Sequence, residues 1–454
     1  MNKIFASLLV STGALAFTAC VGEQAEIFDK SATERLDEAK GIYAKRLTAE
    51  GGKWVMEYYP TKDLESPIGL GYLMTCNFTP DYKVTVAMSN DVTNNYYKES
   101  TSAWEILTDN GPVLSFNTYN DVLHTFSTPE NIPSQSFDGK DEVDETGRGY
   151  EGDYEFVITN LDEGADHAML KGKKRGTYNR ITRLDANTDL KEYMADIETF
   201  KKAKFPAGGN DLRFVHAGKL YNVQGMASLL PKFYPADGDA EVDKQFKPYL
   251  VTKQGDKYYL RFRDAFDSDE ETEQEYVYDE SKEQFIGVEN NANILRGIND
   301  DELPAYLNSV GGIVMKFGLN TYSEASDHYK KMVEDFTSGI QTKGYQLQSI
   351  SLIIINDGTA MDMVISYKSG RTNTNVTYRT TFGSNGDKIE IGTWSDMGNA
   401  NAKKLYNDFP AVKNFVDALS GSYNLKVVGS RFNISEIRFD KAGDSNFWFS
   451  SICR

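Results

Sequence analysis

Many short segments of this chain alternate apolar with polar residues, and polar turns separate these segments. Residues 54–59, 72–78 and 83–88 show the alternation most clearly. A period of two predicts half-buried β-strands, because successive side chains of a strand point to opposite faces of the sheet. Short strands joined by polar turns predict an antiparallel meander that curls into a barrel or half-barrel.

Segments with the same alternation of apolar and polar residues continue along the chain. Further strands are predicted at residues 102–107, 113–116, 154–158, 168–173, 178–184, 212–221, 249–252, 258–262, 275–278, 349–355, 361–367, 376–382, 388–391, 423–428 and 435–439. Two turn signals in the final third, Asn356-Asp357-Gly358 and Asn385-Gly386, predict β-hairpins.

A few amphipathic helices accompany the strands. Ser31 and Glu34 form a capping box, and the apolar stripe after them predicts a helix that ends at Gly51-Gly52. Further helices are predicted from residue 188, across residues 329–340, at residues 402–406 and from Pro410. The predicted fold class is mainly β (α+β), with a barrel-like N-terminal domain and more antiparallel sheet with helices in the C-terminal part.

The length of 454 residues is too great for one core and predicts two or three domains. A polar segment at residues 289–302 marks one boundary. We predict a signal peptide at residues 1–19, a tether at 20–30, a helix with an antiparallel β domain at 31–185, a β-rich middle region at 186–300, and an α+β domain at 301–454.

The first twenty residues predict export and lipid attachment. Lys3 gives a positive start, an apolar run extends to Phe17, and small residues precede Cys20. This run is too short for a mature membrane-spanning helix, which needs about 20 residues. The segment resembles a bacterial lipobox, so we expect signal removal, acylation of Cys20 and contact with a membrane through that lipid.

Sparse acidic residues after Cys20 bear on the side of the membrane that the protein occupies. Glu23, Glu26 and Asp29 resemble the acidic patch that marks some lipoproteins of the Bacteroidetes phylum for the outer face of the outer membrane. We therefore predict a lipid anchor in the outer membrane with the protein on the cell surface. The periplasmic face is the alternative.

The acidic balance of the chain excludes some partners. The formal net charge is −18, which repels nucleic acid and anionic lipid headgroups. Two cysteines remain beside Cys20. Cys76 and Cys453 either pair or stay separate thiols, and separate thiols are favoured because Cys76 stands in an alternating apolar run.

Flat aromatic side chains are the candidate ligand contacts. Trp394 stands among polar turn residues, so we predict that it is exposed and can stack on a glycan or peptide. Trp54 and Trp448 stand beside other apolar residues, and we predict that they pack in the core.

A basic cluster interrupts the acidic chain. On a predicted strand, Lys171, Lys173 and Arg175 share one face. Two roles are open, binding of an anionic group or neutralisation of nearby acids, and we favour neutralisation.

Sequence motifs of catalysis are missing. The chain lacks His-Glu-x-x-His, Gly-x-Ser-x-Gly, phosphate-binding loops and dinucleotide fingerprints, so no cofactor is expected. Asp267, Asp269 and Glu271 alternate as calcium ligands sometimes do, but the EF-hand glycine is missing and a solvated loop is favoured. A hydrolase that uses two carboxylates stays open, because folding alone can bring two acids together.

Several separated segments resemble a known family. They are Phe28-Asp29 and residues 54–60, 109–120, 152–156 and 170–176. In these segments the chain resembles a Bacteroidetes lipoprotein family known as domain of unknown function 4302, over most of residues 28–185 and more loosely to about residue 290. The resemblance implies a surface or periplasmic lipoprotein, often encoded beside outer-membrane nutrient-uptake proteins of the starch-utilisation type. The family has no accepted catalytic residues.

We therefore expect a lipid-anchored, non-enzymatic accessory protein that binds a glycan or peptide nutrient. Outer-membrane uptake proteins of the starch-utilisation type are its expected protein partners. A carboxylate-dependent hydrolase and a structural subunit of an uptake complex are the alternatives. An enclosed cleft with paired, desolvated carboxylates favours the hydrolase, exposed aromatic rings favour ligand binding, and a flat apolar patch favours a structural subunit.

Overall fold

A computed structural model describes residues 30–62, 70–109, 111–131, 149–162, 164–209, 211–237, 245–267, 271–309, 316–355, 358–396 and 398–453. Within these residues the chain forms six α-helices and 27 strands, and the strands make three antiparallel sheets of nine. The predicted mainly antiparallel β fold with a few helices is confirmed. The assignment of these sheets to independent domains stays a prediction.

The first sheet curls into a nearly closed barrel. Its strands are β1 (Lys53–Tyr58), β2 (Tyr72–Phe78), β3 (Lys83–Met88), β4 (Lys98–Ala103), β5 (Glu105–Thr108), β6 (Pro112–Ser115), β7 (Glu155–Asn160), β8 (His167–Gly172) and β9 (Tyr178–Arg183). Their order across the sheet is β4-β3-β2-β1-β9-β8-β7-β6-β5. The first strand therefore pairs with the last.

The two edge strands of this barrel are halves of one bent segment. β4 pairs with β3, β5 pairs with β6, and only Trp104 lies between them. The Trp104 indole is buried, and its N–H donates to the backbone oxygen of Lys83 at 3.1 Å. The buried ring fixes the bend, so one segment pairs with neighbours on both sides. The single strand predicted at residues 102–107 was therefore wrong.

The second sheet repeats the strand order of the first. Its strands are β10 (Leu212–His216), β11 (Lys219–Gln224), β12 (Lys232–Pro235), β13 (Gln245–Phe246), β14 (Tyr249–Gln254), β15 (Lys257–Asp267), β16 (Thr272–Asp279), β17 (Gln284–Gly287) and β18 (Ile294–Arg296). Their order is β13-β12-β11-β10-β18-β17-β16-β15-β14, which matches the first barrel strand for strand. The edge strands again adjoin in the chain, here across Pro248, which has no N–H for a continuous ladder.

One helix precedes each of these two barrels, α1 (Ala32–Thr48) and α2 (Leu190–Lys204). The predicted capping box of α1 is present between Ser31 and Glu34. A carboxylate oxygen of Asp189 caps α2 by accepting two backbone N–H groups. A helix followed by nine strands in one order thus occurs twice, so the two units are a structural repeat.

The segment at residues 212–221, predicted as one strand, is a hairpin. β10 and β11 are joined at Ala217 and Gly218, whose φ angles are 47° and 72°. The Glu271 carboxylate accepts the Ala217 N–H at 2.8 Å. This long-range hydrogen bond stabilises a left-handed backbone at alanine, which local pattern does not predict.

The third sheet has a different order. Its helices are α3 (Leu303–Ser309), α4 (Asp327–Gln341), α5 (Ala400–Asp408) and α6 (Pro410–Ala418). Its strands are β19 (Lys316–Gly318), β20 (Glu324–Ala325), β21 (Tyr345–Ile355), β22 (Ala360–Ser369), β23 (Thr372–Asn385), β24 (Lys388–Ile391), β25 (Gly421–Val427), β26 (Glu436–Lys441) and β27 (Trp448–Ile452). Their order is β19-β21-β22-β23-β24-β25-β26-β27-β20. A bridge between Phe317 and Cys453 connects β19 to the end of the chain.

Large side chains fill the interiors of the first two barrels. In the first, the ring centroid of Tyr58 lies 5.2 Å from that of Phe126 and 6.2 Å from that of Phe156. In the second, the centroid of Phe266 lies 4.6 Å from that of Phe214. These interiors are packed cores, and a ligand would therefore bind at loops or outer faces.

Three buried charges and one half-buried charge, Glu275, join the outer faces of the first two barrels. Glu57 and Arg180 are cross-strand partners in the first barrel, and Arg261 and Glu275 are cross-strand partners in the second. Between the barrels, Arg180 Nη1 lies 2.8 Å from Glu275 Oε1, and Arg261 Nη1 lies 3.6 Å from Glu57 Oε2. Burial raises the pKa of Glu57, although both arginines oppose the rise. We call these four side chains the charge quartet.

Removal of one member of the charge quartet should destabilise the fold strongly. In Arg261→Met, the Glu57 carboxylate loses its cation across the interface, and breaking a buried pair costs about 3 kcal/mol or more of unfolding free energy. The double variant Glu57→Gln/Arg261→Met removes both charges and should recover much of that loss. Urea unfolding of the purified variants measures both changes.

Lys331→Met is the matched control, because its ion pair with Asp335 (2.6 Å) is exposed on one helix face. Exposed pairs contribute less than about 1 kcal/mol. An Arg261→Met protein as stable as Lys331→Met would contradict a stabilising role for the charge quartet.

Candidate functional site

An exposed aromatic surface lies at one end of the first barrel, in the connection between β6 and β7. Tyr119 is 62% exposed and Tyr154 is 42% exposed, whereas His124 between them is 9% exposed. The ring centroid of His124 lies 5.2 Å from that of Tyr119 and 4.7 Å from that of Tyr154. The Tyr154 ring is stacked on the imidazole at an interplanar angle of 25°. We call these three side chains the aromatic platform.

The buried side chain of Asn120 holds this loop against the barrel. Its oxygen accepts the N–H groups of Val122 and Leu123, both at 3.1 Å. Its Nδ2 donates to two groups of β4, the backbone oxygen of Ser100 at 2.9 Å and the hydroxyl of Ser102 at 3.2 Å. The amide therefore uses donors and acceptors together to fix the loop on β4.

His124 is a neutral member of the aromatic platform. The backbone N–H of Asn120 donates to its Nδ1 at 3.1 Å, so the proton of the neutral ring is on Nε2. Burial lowers the pKa of His124, because the charged imidazolium loses solvation there. The platform thus presents uncharged rings at neutral pH.

Tyr154 is positioned by the close approach of the residues before it to the barrel. Gly152 donates its N–H to the backbone oxygen of Phe126 at 2.7 Å. A Cβ at Gly152 would lie 2.2 Å from the Tyr58 hydroxyl oxygen, so only glycine fits. That hydroxyl donates to the backbone oxygen of Asp153 at 3.0 Å. These contacts fix the backbone that carries Tyr154.

The chemistry of the platform is that of binding. Two exposed tyrosine rings offer flat apolar faces with polar edges, the combination that ligand-binding surfaces use. Asn117 and Asp121 are exposed in the same loop, two residues before and after Tyr119. Such a surface can stack on the C–H face of a sugar ring or on an apolar side chain of a peptide.

Sequence reasoning missed the platform, because its two tyrosines stand at opposite ends of a long connection. Their position in the sequence is the one feature that could have pointed to them. Tyr119 and Tyr154 both fall in segments that carry the family resemblance, residues 109–120 and 152–156.

The predicted basic strand face is not formed. β8 ends at Gly172, and Lys173 and Arg175 lie in the turn before β9. The cause is Asp153, whose carboxylate accepts the N–H groups of Lys174 at 3.0 Å and Arg175 at 2.8 Å. Burial raises the pKa of this carboxyl.

The three predicted basic residues contact separate groups. Lys173 Nζ lies 3.0 Å from an oxygen of Asp109 and 3.2 Å from one of Glu155. Arg175 lies 3.2 Å from Glu151, and the Lys171 amine lies 5.6 Å from the ring centroid of Tyr178. These contacts favour neutralisation of nearby acids. Binding of an anionic group stays a prediction.

Trp394 is not the exposed ring that we predicted. It is partly buried and packs against the hydrophobic core of the third sheet. The reason is a bridge between Arg379 and Ser395, which exchange two backbone hydrogen bonds of 2.9 Å and hold the segment against β23. Trp54 is buried as predicted. Trp448 has the same intermediate exposure as Trp394, so it is not the fully packed core residue that we predicted.

The described cysteines are unpaired, and the described residues show no metal site. Cys76 and Cys453 are free thiols, and Cys76 is buried, as favoured. Cys20 and Asp269 lie outside the described residues, and only the backbone of Asp267 is described, at the end of β15. Glu271 is hydrogen-bonded to Ala217 and Asn290. The described part of the chain holds no group of three or more His, Cys, Asp or Glu suited to a metal ion.

The hydrolase alternative depends on carboxylates in a cleft. A cleft of about 340 Å³ beside α2 is lined by acids, including Asp189 and Asp196. Asp189 caps the helix, and these hydrogen bonds lower the pKa of its carboxyl, while Asp196 lies 2.9 Å from the Lys253 amine. The acids whose pKa is raised, Glu57 and Asp153, do not line this cleft. Among the described residues, this cleft therefore contains no carboxyl with a raised pKa.

No helix among the described residues has the length and apolarity needed to cross a membrane.

Comparison with known proteins gives one family. The family model described as "Domain of unknown function (DUF4302)" matches residues 24–294, which cover both repeated barrels up to the first residue of β18. No curated protein matches the sequence. Two crystal structures of the vaccine antigen transferrin binding protein B from Haemophilus parasuis, a double and a single mutant, align with 88% of this chain and 74% of theirs at 9% identity. Their TM-scores are 0.14 and 0.13, which are too low to define a common fold.

We expect His124 to titrate below pH 6.5, its ordinary pKa, because burial favours the neutral ring. Between pH 6.5 and the lower folded-state pKa, the unfolded chain binds a proton that the folded chain does not, so stability falls as the pH falls. NMR titration of the imidazole C–H signals, assigned by their loss in His124→Gln, measures the midpoint. A midpoint at or above 6.5 would contradict the buried, neutral ring.

Proposed function

We propose that this chain, which belongs to the DUF4302 family, is a lipid-anchored, non-enzymatic protein that binds a glycan at the outer membrane. The aromatic platform formed by Tyr119, His124 and Tyr154 is the observation that carries the proposal. Exposed, fixed aromatic rings are what a stacking ligand requires, and ordering such rings in advance lowers the entropic cost of binding.

A sugar fits the platform better than a charged ligand. Its rings are uncharged at neutral pH, since the pKa of His124 is lowered. The chain as a whole carries a formal charge of −18, which disfavours strongly anionic polymers. We therefore propose a neutral glycan, with a peptide as the alternative outcome of the binding experiment.

The platform is also open to a large ligand. Because side chains fill the barrel, the binding surface is outside it, where a long polymer can pass without threading into a cavity. An accessory protein that hands a polymer to an uptake protein needs such an open surface. This supports a binding role over hydrolysis in an enclosed cleft.

The lipid on Cys20 would tie the platform to the membrane. The chain between Cys20 and the cap of α1 at Ser31 is short and polar, and it carries Glu23, Glu26 and Asp29. We propose that the protein lies on the cell surface, where a glycan polymer is accessible. An interaction with outer-membrane uptake proteins is part of this proposal.

Substitution of the platform tyrosines should weaken glycan binding. Each stacked ring contributes about 0.5–1.5 kcal/mol, so Tyr119→Ala and Tyr154→Ala should each lower affinity about 2-fold to 13-fold. Affinity electrophoresis against neutral polysaccharides, followed by calorimetry on those that bind, measures the change.

Tyr96→Ala is the matched control, because this ring is 76% exposed and outside the platform. Unchanged binding in the double variant Tyr119→Ala/Tyr154→Ala would reject the platform as the binding surface. Binding of peptides but not glycans would reject the proposed ligand class.

Cys20→Ala should abolish lipid attachment. Cells that express the wild-type chain should incorporate a palmitate analogue into the protein, and the protein should sediment with membranes. Cys453→Ala is the control, since it removes a thiol far along the chain and should keep the label. A Cys20→Ala protein that is still labelled and still sediments would contradict the anchor.

A further inference from the structure

A second aromatic ring faces an open cleft on the third sheet. Trp448, the first residue of β27, is partly exposed and lines a cleft of about 710 Å³ between the start of α4 and the turn before β27. The cleft lies outside the region that the family model matches. It is also independent of the aromatic platform, which belongs to the first barrel.

The Trp448 ring is held rigidly from one side. The guanidinium carbon of Arg438 lies 3.7 Å from the ring centroid, so the two planar groups are stacked. Arg438 is itself fixed by Asp440, which accepts hydrogen bonds from its Nε at 2.9 Å and lies 2.8 Å from its Nη2. Lys426 pairs with the other oxygen of Asp440 at 3.1 Å.

The backbone around the ring is fixed as well. Ser326 donates its N–H to the backbone oxygen of Trp448 at 3.0 Å. Its hydroxyl accepts the N–H of Trp448 at 3.3 Å and that of Tyr329 at 3.2 Å, where it also caps α4. The floor of the cleft is therefore ordered before any ligand arrives, which lowers the entropic cost of binding.

The groups around the ring indicate the ligand. Glu324, Asp327, His328 and Asn446 line the cleft and are exposed. Carboxylate, imidazole and amide groups hydrogen-bond to hydroxyl groups. Such a rim beside one aromatic face suits a sugar ring, which has C–H groups on one face and hydroxyls at its edge.

Charge disfavours anionic ligands in the cleft and opposes cationic ones at the ring. The carboxylates of Glu324 and Asp327 repel anionic sugars, and Lys330, the one lysine or arginine among the described lining residues, lies 3.5 Å from Asp327. The same carboxylates attract a cationic side chain, but at the ring it would meet the Arg438 guanidinium that is already stacked there. Two cations on one ring repel each other.

We propose that Trp448 is the stacking residue of a second binding subsite, which takes one neutral pyranose unit of a glycan. Asn446, His328 and Asp327 hydrogen-bond to its hydroxyl groups. This subsite requires no lipid anchor and no contact with the aromatic platform.

Calorimetric titration of the full mature chain tests the proposal. The Tyr119→Ala/Tyr154→Ala background is used, so the aromatic platform contributes nothing. Maltohexaose, cellohexaose, xylohexaose and mannohexaose are the probes. At least one should bind, Trp448→Ala should weaken it by about 10-fold or more, and Trp448→Phe should weaken it less because an aromatic face remains.

Further variants guard against misfolding. Asn446→Ala alters an exposed side chain of the cleft and should weaken the same sugar about 3-fold, whereas Tyr96→Ala should have no effect. The proposal is overturned if none of the four hexasaccharides binds, or if Asn446→Ala and a folded Trp448→Ala bind as tightly as the background. Tighter binding of an oligogalacturonate or an oligolysine peptide at Trp448 would also overturn it.

Discussion

Opposite charges at the interface between the first two barrels hold these barrels in one relative arrangement. Glu57 and Arg180 are cross-strand neighbours on one barrel, and Arg261 and Glu275 are cross-strand neighbours on the other. The ion pairs form between the barrels, from Arg180 to Glu275 and from Arg261 to Glu57. Charges in such a place are costly unless each one meets its opposite. A rotation of one barrel against the other would separate them, so the quartet favours one arrangement. One hydrophobic cluster contains buried residues of both barrels, so apolar contacts also join them.

This arrangement leaves the ends and the outer faces of the sheets for function. Rings such as Tyr58, Phe126 and Phe156 occupy the interior of the first barrel, so the described residues fill the space that a ligand would need there. The aromatic platform lies at a barrel end, where a loop is tied down by one asparagine. The Trp448 cleft lies on the third sheet, where an arginine supports the ring. In both places a rigid framework holds aromatic side chains toward solvent.

Local pattern predicted much of the fold. β2 and β3 begin and end at the predicted residues, because alternation marks a strand with one buried face, and the capping box marks the start of α1. The repeat of the two barrels was not predicted, since strand order is carried by pairing between distant segments. The Asp153 carboxylate ends β8 earlier than its sequence indicates, and the bridge from Arg379 draws Trp394 toward the core. The candidate site depends on such distant contacts, and for that reason it was missed.

The pairing of β1 with β9 brings the entrance and exit of the first barrel together. The Leu184 N–H donates to the backbone oxygen of Lys53 at 2.8 Å, so the chain leaves the unit beside the point where it came in. A unit with adjoining ends can be copied in tandem, or lost, without rerouting the polypeptide around it. The helix with nine strands can therefore be duplicated along the chain without a change in its own fold. Each copy would then be free to change its loops separately.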